Sequence, residues 1–346
     1  MHILILGGTS FVGRHIALTA VSRSHSVTLL NRGTAPAPSG TTSLIGDRLA
    51  PDGGLSALHG LHFDAVLDTW SGDPKAVVNS VKALEGEVKQ YVYISSLSVY
   101  DVDGTPDSGS GPGGLYDETA LLFDVTAPDA VKPEYQYPFE KRSSEIAIEG
   151  QIYAKTLLIR PGVILGPYEA KLIERGRLPW WLSRLVKGGR TLAPGPQNMG
   201  LQFVDARDLA EFVVDGIEKG IEGVYNLVSE AGKVTMGEVL GTGMEVTGGK
   251  ATLVWKTPWE ILEAGVQPWS ELPLWLDVDS EVYRTVYAWD IRKAAEAGLV
   301  SRPVADTVRD TWVWMENGEL KPVHAPEGTK GLLGLSVEKE EKLLGK

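Results

Sequence analysis

Tyr137 and Lys141 are the residues with the clearest chemical potential, because they stand four positions apart in Tyr-Pro-Phe-Glu-Lys. On a helix, this spacing places a phenol and an ammonium on one face, with Cβ atoms about 5 to 6 Å apart. A nearby ammonium favours the phenolate and lowers its pKa from about 10 toward neutral pH. The tyrosine can then exchange a proton with a carbonyl or carbinol oxygen, so the pair predicts acid–base catalysis.

A run of serines follows the apolar residues 91–94, where a parallel strand would end. Hydroxyl groups at the carboxyl edge of a parallel sheet face the ligand crevice. We therefore expect Ser96 to hydrogen-bond the reacting oxygen and count Ser95 as a cofactor contact and Ser98 as a candidate substrate contact. The alternative is that these serines cap the following turn, which applies more strongly to Ser95 and Ser98 than to Ser96.

A glycine-rich turn lies near the start of the chain, between an apolar run and a helical pattern. In this context, glycines permit a tight turn and let a pyrophosphate approach backbone N–H groups at a helix N-terminus. The alternative is a structural turn that binds no ligand. The candidate cofactor contacts of the turn are Gly7, Thr9, Ser10, Phe11, Val12 and Gly13.

The end of the second predicted strand carries Asn31 and Arg32, where an NAD-binding protein usually has an acidic residue for the ribose 2′-hydroxyl. Without that carboxylate, the Arg32 guanidinium can bind a 2′-phosphate. The sequence therefore predicts NADP(H) over NAD(H), with a solvated loop charge as the alternative for Arg32. Asp47, after the third predicted strand, is a candidate contact for the adenine amino group, although it could equally cap its own loop.

The elements that must position these residues alternate between short apolar runs and helical patterns. This order predicts an α/β fold with a Rossmann-like, doubly wound parallel sheet. The predicted strands are 3–6, 26–30, 63–67, 91–94 and 156–159, and the predicted helices are 11–21, 74–84 and 137–149.

The composition changes near Gly166, where the chain becomes rich in Trp, Pro and Gly. We expect a smaller C-terminal substrate lobe that is interleaved with the first domain. The first domain is predicted to span 1–165 with a return at 202–228, the substrate lobe 166–201 and 229–330, and a solvated, charged tail helix 331–346. The Gly- and Pro-rich residues 101–118 are expected to form a surface loop, either a lid or a tolerated insertion.

Three residues of the predicted substrate lobe are candidates for contact with a small-molecule substrate. Arg177 can clamp an anionic or carbonyl group, and Trp180 or Trp181 can form an apolar wall. Aromatic clusters of this kind are more often core than pocket. The basic residues of the lobe do not form a pattern typical of a site for a nucleotide-sugar diphosphate.

Composition narrows the function further. A formal net charge of -12 disfavours nucleic acid and anionic membrane surfaces as partners. The 346 residues include no cysteine, which excludes disulfides and thiol catalysis and fits the cytoplasm. The six histidines show no metal-ligand spacing, so no metal site is expected. No apolar run reaches the roughly 18 residues of a transmembrane helix. The sequence does not decide whether the protein forms a homodimer.

Taken together, these motifs make the chain resemble the extended short-chain dehydrogenase/reductases, which include sugar-nucleotide epimerases and dehydratases. The resemblance rests on residues 7–13, 93–100, 137–141, 160–167 and 203–210. It implies that Ser96 orients the substrate, that Tyr137 is the acid/base, and that Lys141 lowers the tyrosine pKa and holds the nicotinamide ribose. It also implies cofactor contacts from Asp68, Thr69, Trp70, Pro161, Gly162 and Val163.

One departure from the family pattern is Ser10, which stands where the middle glycine of the turn usually is. In this substitution the chain resembles an atypical branch of the family that includes stem-loop RNA-binding proteins of chloroplasts.

The first functional hypothesis is an NADPH-dependent reductase of a carbonyl or imine, with Tyr137 as proton donor. The alternatives are an epimerase or dehydratase that retains its cofactor, and a non-catalytic dinucleotide-sensing or RNA-binding scaffold on the same fold.

Overall fold

The structure, a computed structural model, describes residues 1–50, 54–101, 112–128, 131–151, 153–170, 176–318 and 333–345. Most of the predicted lid, residues 102–111, lies outside the described residues. The strands, in chain order, are β1 (His2–Leu6), β2 (Ser26–Asn31), β3 (Thr41–Ile45), β4 (Phe63–Asp68), β5 (Val88–Ile94), β6 (Lys155–Pro161), β7 (Val163–Leu165), β8 (Gly189–Pro194), β9 (Gly200–Leu201), β10 (Phe203–Asp205), β11 (Gly223–Leu227), β12 (Val234–Thr235) and β13 (Ala251–Lys256).

The α-helices lie between half of the successive strands and after the last strand. In chain order they are α1 (Phe11–Ser22), α2 (Lys75–Ala83), α3 (Gln136–Glu149), α4 (Arg177–Val186), α5 (Ala206–Lys219), α6 (Met236–Val246), α7 (Pro258–Glu263), α8 (Glu281–Tyr287), α9 (Arg292–Glu296), α10 (Val304–Glu316) and α11 (Val337–Leu343). Short 3-10 helices span Ser56–Leu58, Leu97–Val99, Pro112–Gly114 and Pro133–Tyr135.

The central sheet has seven strands in the order β11-β6-β5-β4-β1-β2-β3. Every neighbouring pair in it is parallel. The chain runs outward from β1 through β2 and β3, then returns to the other side of β1 with β4, so the topological switch lies between β1 and β4. Ligands of such sheets bind in the crevice at the carboxyl ends of the strands beside that switch. The predicted doubly wound Rossmann-like fold is confirmed.

The central strands are apolar along their length because both faces of the sheet are covered. In β1, residues Ile3, Leu4 and Ile5 have no exposed surface, and Leu6 is 1% exposed. Tyr91 in β5 is also fully buried and belongs to a hydrophobic core cluster. Polar side chains that could contact a ligand are therefore expected mainly at the ends of these strands.

The chain divides into two compact units that alternate along the sequence. Unit 1 comprises Met1–Gly162, Ala206–Val228 and Asp290–Val300, and unit 2 comprises Val163–Asp205, Ser229–Trp289 and Ser301–Lys346. The predicted division differs at residues 163–165 and 202–205, which belong to unit 2, and at residues 290–300, which it assigned to the substrate lobe. That last segment packs with unit 1, where Lys293 Nζ lies 4.8 Å from the centre of the Tyr225 ring on β11.

Unit 2 has its own core, which includes the buried indoles of Trp181 and Trp275. The prediction of a solvated tail helix is corrected here, since α11 packs onto this unit. Glu340 accepts hydrogen bonds from Arg184 Nε at 2.8 Å and from the Leu192 backbone at 3.0 Å, and Leu344 is 4% exposed. The charge-rich sequence of the tail does not indicate this contact, because the residues that pair with Glu340 lie about 150 positions earlier in the chain.

Candidate active site

The glycine turn after β1 is packed too closely for a side chain at any of its three glycines. A Cβ atom on Gly7 would lie 2.6 Å from Thr69 Oγ1, and one on Gly13 would lie 2.8 Å from the Gly8 nitrogen. Gly7 also has φ of 118°, a conformation that favours glycine. The turn therefore brings the start of α1 and the end of β4 together, with backbone N–H groups at the helix N-terminus.

Ser10, the residue that departs from the family pattern, fits this turn without strain. Its φ of -141° and ψ of 151° are extended values that any residue adopts, and its side chain forms no helix-capping hydrogen bond. The positive φ of 33° falls instead on Phe11. The missing middle glycine therefore does not strain the backbone at position 10, and Ser10 is exposed.

The predicted ribose and adenine contacts have different environments. Asn31 already has partners within the protein, since its amide donates to Ser43 Oγ on β3 at 2.7 Å and its carbonyl accepts from the Gly33 backbone at 2.8 Å. Arg32 is exposed and has no ion pair within the part of the chain that the structure describes. Asp47 is exposed and accepts from the Leu49 backbone at 3.1 Å, which is the loop-capping alternative.

Asp68, predicted to border the cofactor, points into the protein. The side chain is fully buried and accepts hydrogen bonds from both terminal nitrogens of Arg48, at 2.7 and 2.8 Å. It also accepts from Tyr91 Oη at 3.0 Å and from the Trp70 backbone at 2.9 Å. Sequence reasoning missed Arg48, whose only signal was its place beside Asp47 in a short polar loop. The next residue, Thr69, donates from its hydroxyl to the Leu6 carbonyl at 3.2 Å.

The serines at the end of β5 differ in what they offer a ligand. Ser95 is 3% exposed, and its hydroxyl has no hydrogen bond within the described residues. The Ser96 hydroxyl oxygen accepts from the Ser98 backbone at 3.2 Å and from Ser98 Oγ at 3.0 Å. Because those bonds occupy the acceptor positions of the Ser96 oxygen, its own hydrogen is left to donate.

Tyr137 and Lys141 lie one turn apart on α3, as predicted, but in contrasting environments. Tyr137 is 44% exposed and Lys141 is 3% exposed. Lys141 Nζ donates to the Trp70 carbonyl at 2.6 Å and to the Ile94 carbonyl at 2.7 Å. It also lies 4.8 Å from the centre of the Tyr93 ring. The structure thus brings Lys141 to the carboxyl ends of β4 and β5.

The charge of Lys141 is held in a nearly dry environment. Burial lowers the pKa of its ammonium to about 8, while the carboxylates of Asp68 and Glu145 oppose that effect. Two backbone carbonyls accept from the ammonium, which leaves one N–H of the three for another partner. The helix that carries Tyr137 and Lys141 also packs against the 3-10 helix Leu97–Val99, which follows Ser96.

A buried ion pair fastens α3 to the sheet. Arg160 on β6 donates to both carboxylate oxygens of Glu145, at 2.8 and 2.7 Å, and neither side chain is more than 2% exposed. Arg160 also donates to Tyr100 Oη at 2.8 Å, and that hydroxyl donates to Asn226 Oδ1 at 2.9 Å. Sequence reasoning missed this pair, although a charge directly after the apolar strand 156–159 was a signal.

The residues after β6 are shaped by packing. A Cβ atom on Gly162 would lie 2.5 Å from Val228 Cγ1 and 3.0 Å from Leu97 Cδ1. The neighbouring side chains therefore favour glycine at this position. This packing reason is separate from the cofactor contact that the family resemblance implies. Pro161 ends β6 and is buried, and Val163 begins β7 of unit 2.

The three candidate substrate contacts of the predicted lobe lie in unit 2. Trp181 is 1% exposed and donates to the Pro273 carbonyl at 2.7 Å, so this indole is core and not the predicted pocket wall. Trp180 packs edge-on against it, with ring centroids 4.7 Å apart. Trp181 lies in the core because large aromatic rings bury more apolar surface there than other side chains do.

Arg177 is held from two sides within unit 2. Its Nη1 lies 3.2 Å from Glu169 Oε1, and its guanidinium carbon lies 5.4 Å from the centre of the Trp269 ring. Glu169 also accepts from the backbone of Arg177 and Leu178, at 2.8 and 3.3 Å. Burial raises the pKa of Glu169, and the Arg177 charge opposes that rise. Much of the Arg177 charge is therefore balanced inside the protein.

Two features of the described residues bear on the expected partners. Among those residues, no helix is both long and apolar enough to cross a membrane. The same residues contain no group of three or more His, Cys, Asp or Glu side chains that could hold a metal ion.

A sequence profile described as the NAD dependent epimerase/dehydratase family matches residues 3–227, more than half of the chain. Among curated proteins, the chloroplast stem-loop binding protein of 41 kDa b from Arabidopsis thaliana is 28% identical over 254 residues. That match covers 66% of this chain and 58% of the relative, so the chain spans less than two thirds of the relative's length.

Solved structures with similar folds include the UDP-glucose 4-epimerase of Thermotoga maritima, solved with UDP-glucose. It is 16% identical, with a TM-score of 0.66 over 92% of this chain and 99% of that chain. The Bordetella bronchiseptica enzyme WbmH, solved in complex with NAD⁺, is 17% identical, with a TM-score of 0.68 over 92% of this chain and 99% of that chain. At these identities the structural likeness concerns the fold alone.

Proposed function

Because the chain belongs to the NAD dependent epimerase/dehydratase family, we propose that it is an oxidoreductase in which Tyr137 exchanges a proton with an oxygen of a small organic substrate. The observation that carries this proposal is the buried Lys141 ammonium, held by two carbonyls one helical turn from a half-exposed phenol. A bound nicotinamide dinucleotide would supply hydride transfer to or from the carbon that bears the oxygen.

The residues of unit 1 fit such a cofactor. Side chains at Gly7 and Gly13 would collide with Thr69 and with the Gly8 backbone, so glycine keeps the turn tight, as in turns whose backbone N–H groups bind a pyrophosphate. The N-terminus of α1 favours negative charge there. Lys141 keeps one N–H for a ribose hydroxyl or for the Tyr137 oxygen.

The roles of the three catalytic candidates follow from their surroundings. The positive charge of Lys141 stabilises the Tyr137 phenolate, which makes proton exchange feasible near neutral pH. Ser96 donates its remaining hydrogen to the substrate oxygen, because Ser98 already fills its acceptor positions. In the oxidising direction the Tyr137 phenolate would accept the proton of the carbinol O–H, and in the reducing direction the neutral phenol would give that proton to the developing alkoxide.

Of the two reaction types, we favour the one in which the cofactor stays bound and is regenerated, as in an epimerase or dehydratase. The family match supports this form over an NADPH-consuming reductase. The reductase remains the second candidate because Arg32 is exposed without an ion pair in the described part of the chain, which suits the 2′-phosphate of NADPH. A nucleic-acid-binding role, which the name of the Arabidopsis relative gives to that protein, is disfavoured here by the net charge of -12.

Cofactor retention distinguishes the two reaction types. We expect the purified protein, once denatured, to release close to one equivalent of a nicotinamide dinucleotide, which chromatography identifies as NAD or NADP. UDP-glucose and other nucleotide sugars are then followed by NMR without added cofactor, and a panel of carbonyl compounds is followed by the absorbance loss that accompanies NADPH oxidation. Turnover that consumes added NADPH would favour the reductase, and a protein that binds neither dinucleotide would refute the proposal.

The cofactor preference is a separate prediction about Arg32. Arg32→Gln is expected to raise the Kd for NADPH about tenfold, because a charged hydrogen bond to phosphate is lost. The Kd for NADH should change less than about twofold, since NADH has no 2′-phosphate. Cofactor fluorescence measures both constants. Lys89→Gln serves as the control, because Lys89 is 81% exposed and pairs with Asp64 at the amino end of the sheet. Equal loss of both cofactors would contradict an Arg32 contact with the 2′-phosphate.

A further inference from the structure

Arg48 takes part in a buried polar cluster that the proposed reaction does not use. Its side chain is 7% exposed, and it holds both carboxylate oxygens of the fully buried Asp68, at 2.7 and 2.8 Å. It also donates to Ser80 Oγ at 3.0 Å, and its guanidinium carbon lies 4.8 Å from the centre of the Trp70 ring. A buried ion pair with this geometry fixes the orientation of both partners.

Trp70 connects this cluster to Lys141. The Trp70 N–H donates to Asp68 at 2.9 Å, and its carbonyl accepts from Lys141 Nζ at 2.6 Å and from Tyr93 Oη at 3.1 Å. Its indole lies against the Arg48 guanidinium, and the indole N–H donates to the Asp73 carbonyl at 2.9 Å. Both backbone polar groups and the ring of Trp70 are therefore held in place.

The contacts form a direct path from Arg48 through Asp68 and the Trp70 backbone to the Lys141 ammonium. We propose that Arg48 and Asp68 are positioning residues, which fix the Trp70 carbonyl and through it the place of the Lys141 ammonium. This inference rests on the proposed function only for the catalytic role of Lys141, because the positioning itself follows from the observed contacts. It also reassigns Asp68, whose carboxylate oxygens are already occupied by protein donors, from cofactor contact to internal support.

The same cluster sets the charge around Lys141. Besides Tyr137, one helical turn away on α3, the titratable groups near the ammonium are Asp68, Arg48, Tyr93, Glu140 and Glu145. The Asp68 carboxylate raises the pKa of Lys141 more strongly than the Arg48 guanidinium lowers it. Removing both charges at once should therefore lower that pKa, whereas a change that keeps both charges and disturbs only the geometry should leave it nearly unchanged.

Two variants separate geometry from charge. Arg48→Lys keeps the positive charge but cannot form the paired bonds to Asp68, so the exchange rate of the Trp70 amide hydrogen is expected to rise about tenfold. The double variant Arg48→Met with Asp68→Asn leaves no unpaired charge in this pair, and the new amide oxygen at position 68 can still accept from the Trp70 N–H. It is expected to lower the midpoint of the Lys141 titration by at least about half a pH unit from the wild-type value.

Both quantities are measured by NMR on the full chain without substrate. Amide exchange is followed at Trp70, and the Lys141 titration is followed in protein with ¹³C-labelled lysine, where Lys141→Arg identifies the signal. Arg23→Lys is the control, because Arg23 pairs with Glu211, Asp215 and Glu218, on the surface of α5. Thermal unfolding verifies that each variant is folded.

The expected result is faster Trp70 exchange in Arg48→Lys and a lowered Lys141 midpoint in the double variant, with both quantities unchanged in Arg23→Lys. Trp70 exchange and a Lys141 midpoint that stay at wild-type values in both Arg48 variants would overturn the proposal. Neither measurement depends on turnover, so loss of the proposed catalytic role of Tyr137 would leave this result intact. The two proposals can therefore fail separately.

Discussion

Tyr137→Phe is expected to lower kcat by about 10²- to 10⁴-fold, the range that a positioned acid–base group contributes. Phenylalanine keeps the ring and the helix but removes the hydroxyl that exchanges the proton. The Kd for the cofactor should change less than about twofold, because an interaction made only in the transition state is lost. Timed assays on the substrate identified by the panel measure kcat, and cofactor fluorescence measures the Kd.

Tyr135→Phe is the matched control for this prediction. Tyr135 is 37% exposed and packs against Phe123 with ring centroids 5.7 Å apart, two positions before Tyr137 on the chain. Residues two positions apart do not share a helix face, so its hydroxyl should not reach the reacting oxygen. A Tyr137→Phe protein that keeps kcat within a few-fold of wild type would remove Tyr137 from the acid–base role.

Arg160→Met is expected to lower the free energy of unfolding by up to about 3 to 5 kcal/mol, the cost of breaking one side of a buried ion pair when the other charge loses its partner. The change removes both charged bonds from β6 to the fully buried Glu145 carboxylate and leaves Arg142 Nη1, at 3.0 Å, as its charged partner. Since proteins are typically stable by about 5 to 15 kcal/mol in total, the loss is easily measured by urea denaturation followed by circular dichroism.

Two further variants test whether the loss of stability comes from the buried charge of Glu145. Adding Glu145→Gln to Arg160→Met removes the buried carboxylate charge and should recover part of the lost stability. Arg309→Met is the control, because the Arg309 pair with Asp306 is about half exposed and such pairs contribute about 0 to 1 kcal/mol. A loss below about 1 kcal/mol in Arg160→Met would show that the pair does not fasten α3 to the sheet.

The local patterns of the sequence predicted most of the central sheet and its helices. Short apolar runs marked β1, β2, β4, β5 and β6 close to their observed ends. The resemblance to the extended short-chain dehydrogenase/reductases is confirmed by the family match over residues 3–227. These features were accessible because periodicity and turn residues are properties of contiguous segments.

The interior polar contacts could not be predicted in the same way. Nothing local distinguishes Arg48, which is buried against Asp68, from Arg32, which is exposed, because the partner of a buried charge lies elsewhere in the chain. The same reason explains the corrections at Trp181 and at residues 290–300. Their positions depend on long-range packing that composition alone does not specify.

The alternation of the two units has a consequence for how the protein is made. Unit 1 needs β11, which pairs with β6, and it needs residues 290–300, which lie late in a chain of 346 residues. Domains usually fold as they leave the ribosome, from the N-terminus onward. Here the nascent first unit must wait, with the edge of β6 unpaired, until most of the polypeptide has been translated. A gene truncated after residue 162 would therefore encode an incomplete sheet with an open, aggregation-prone edge.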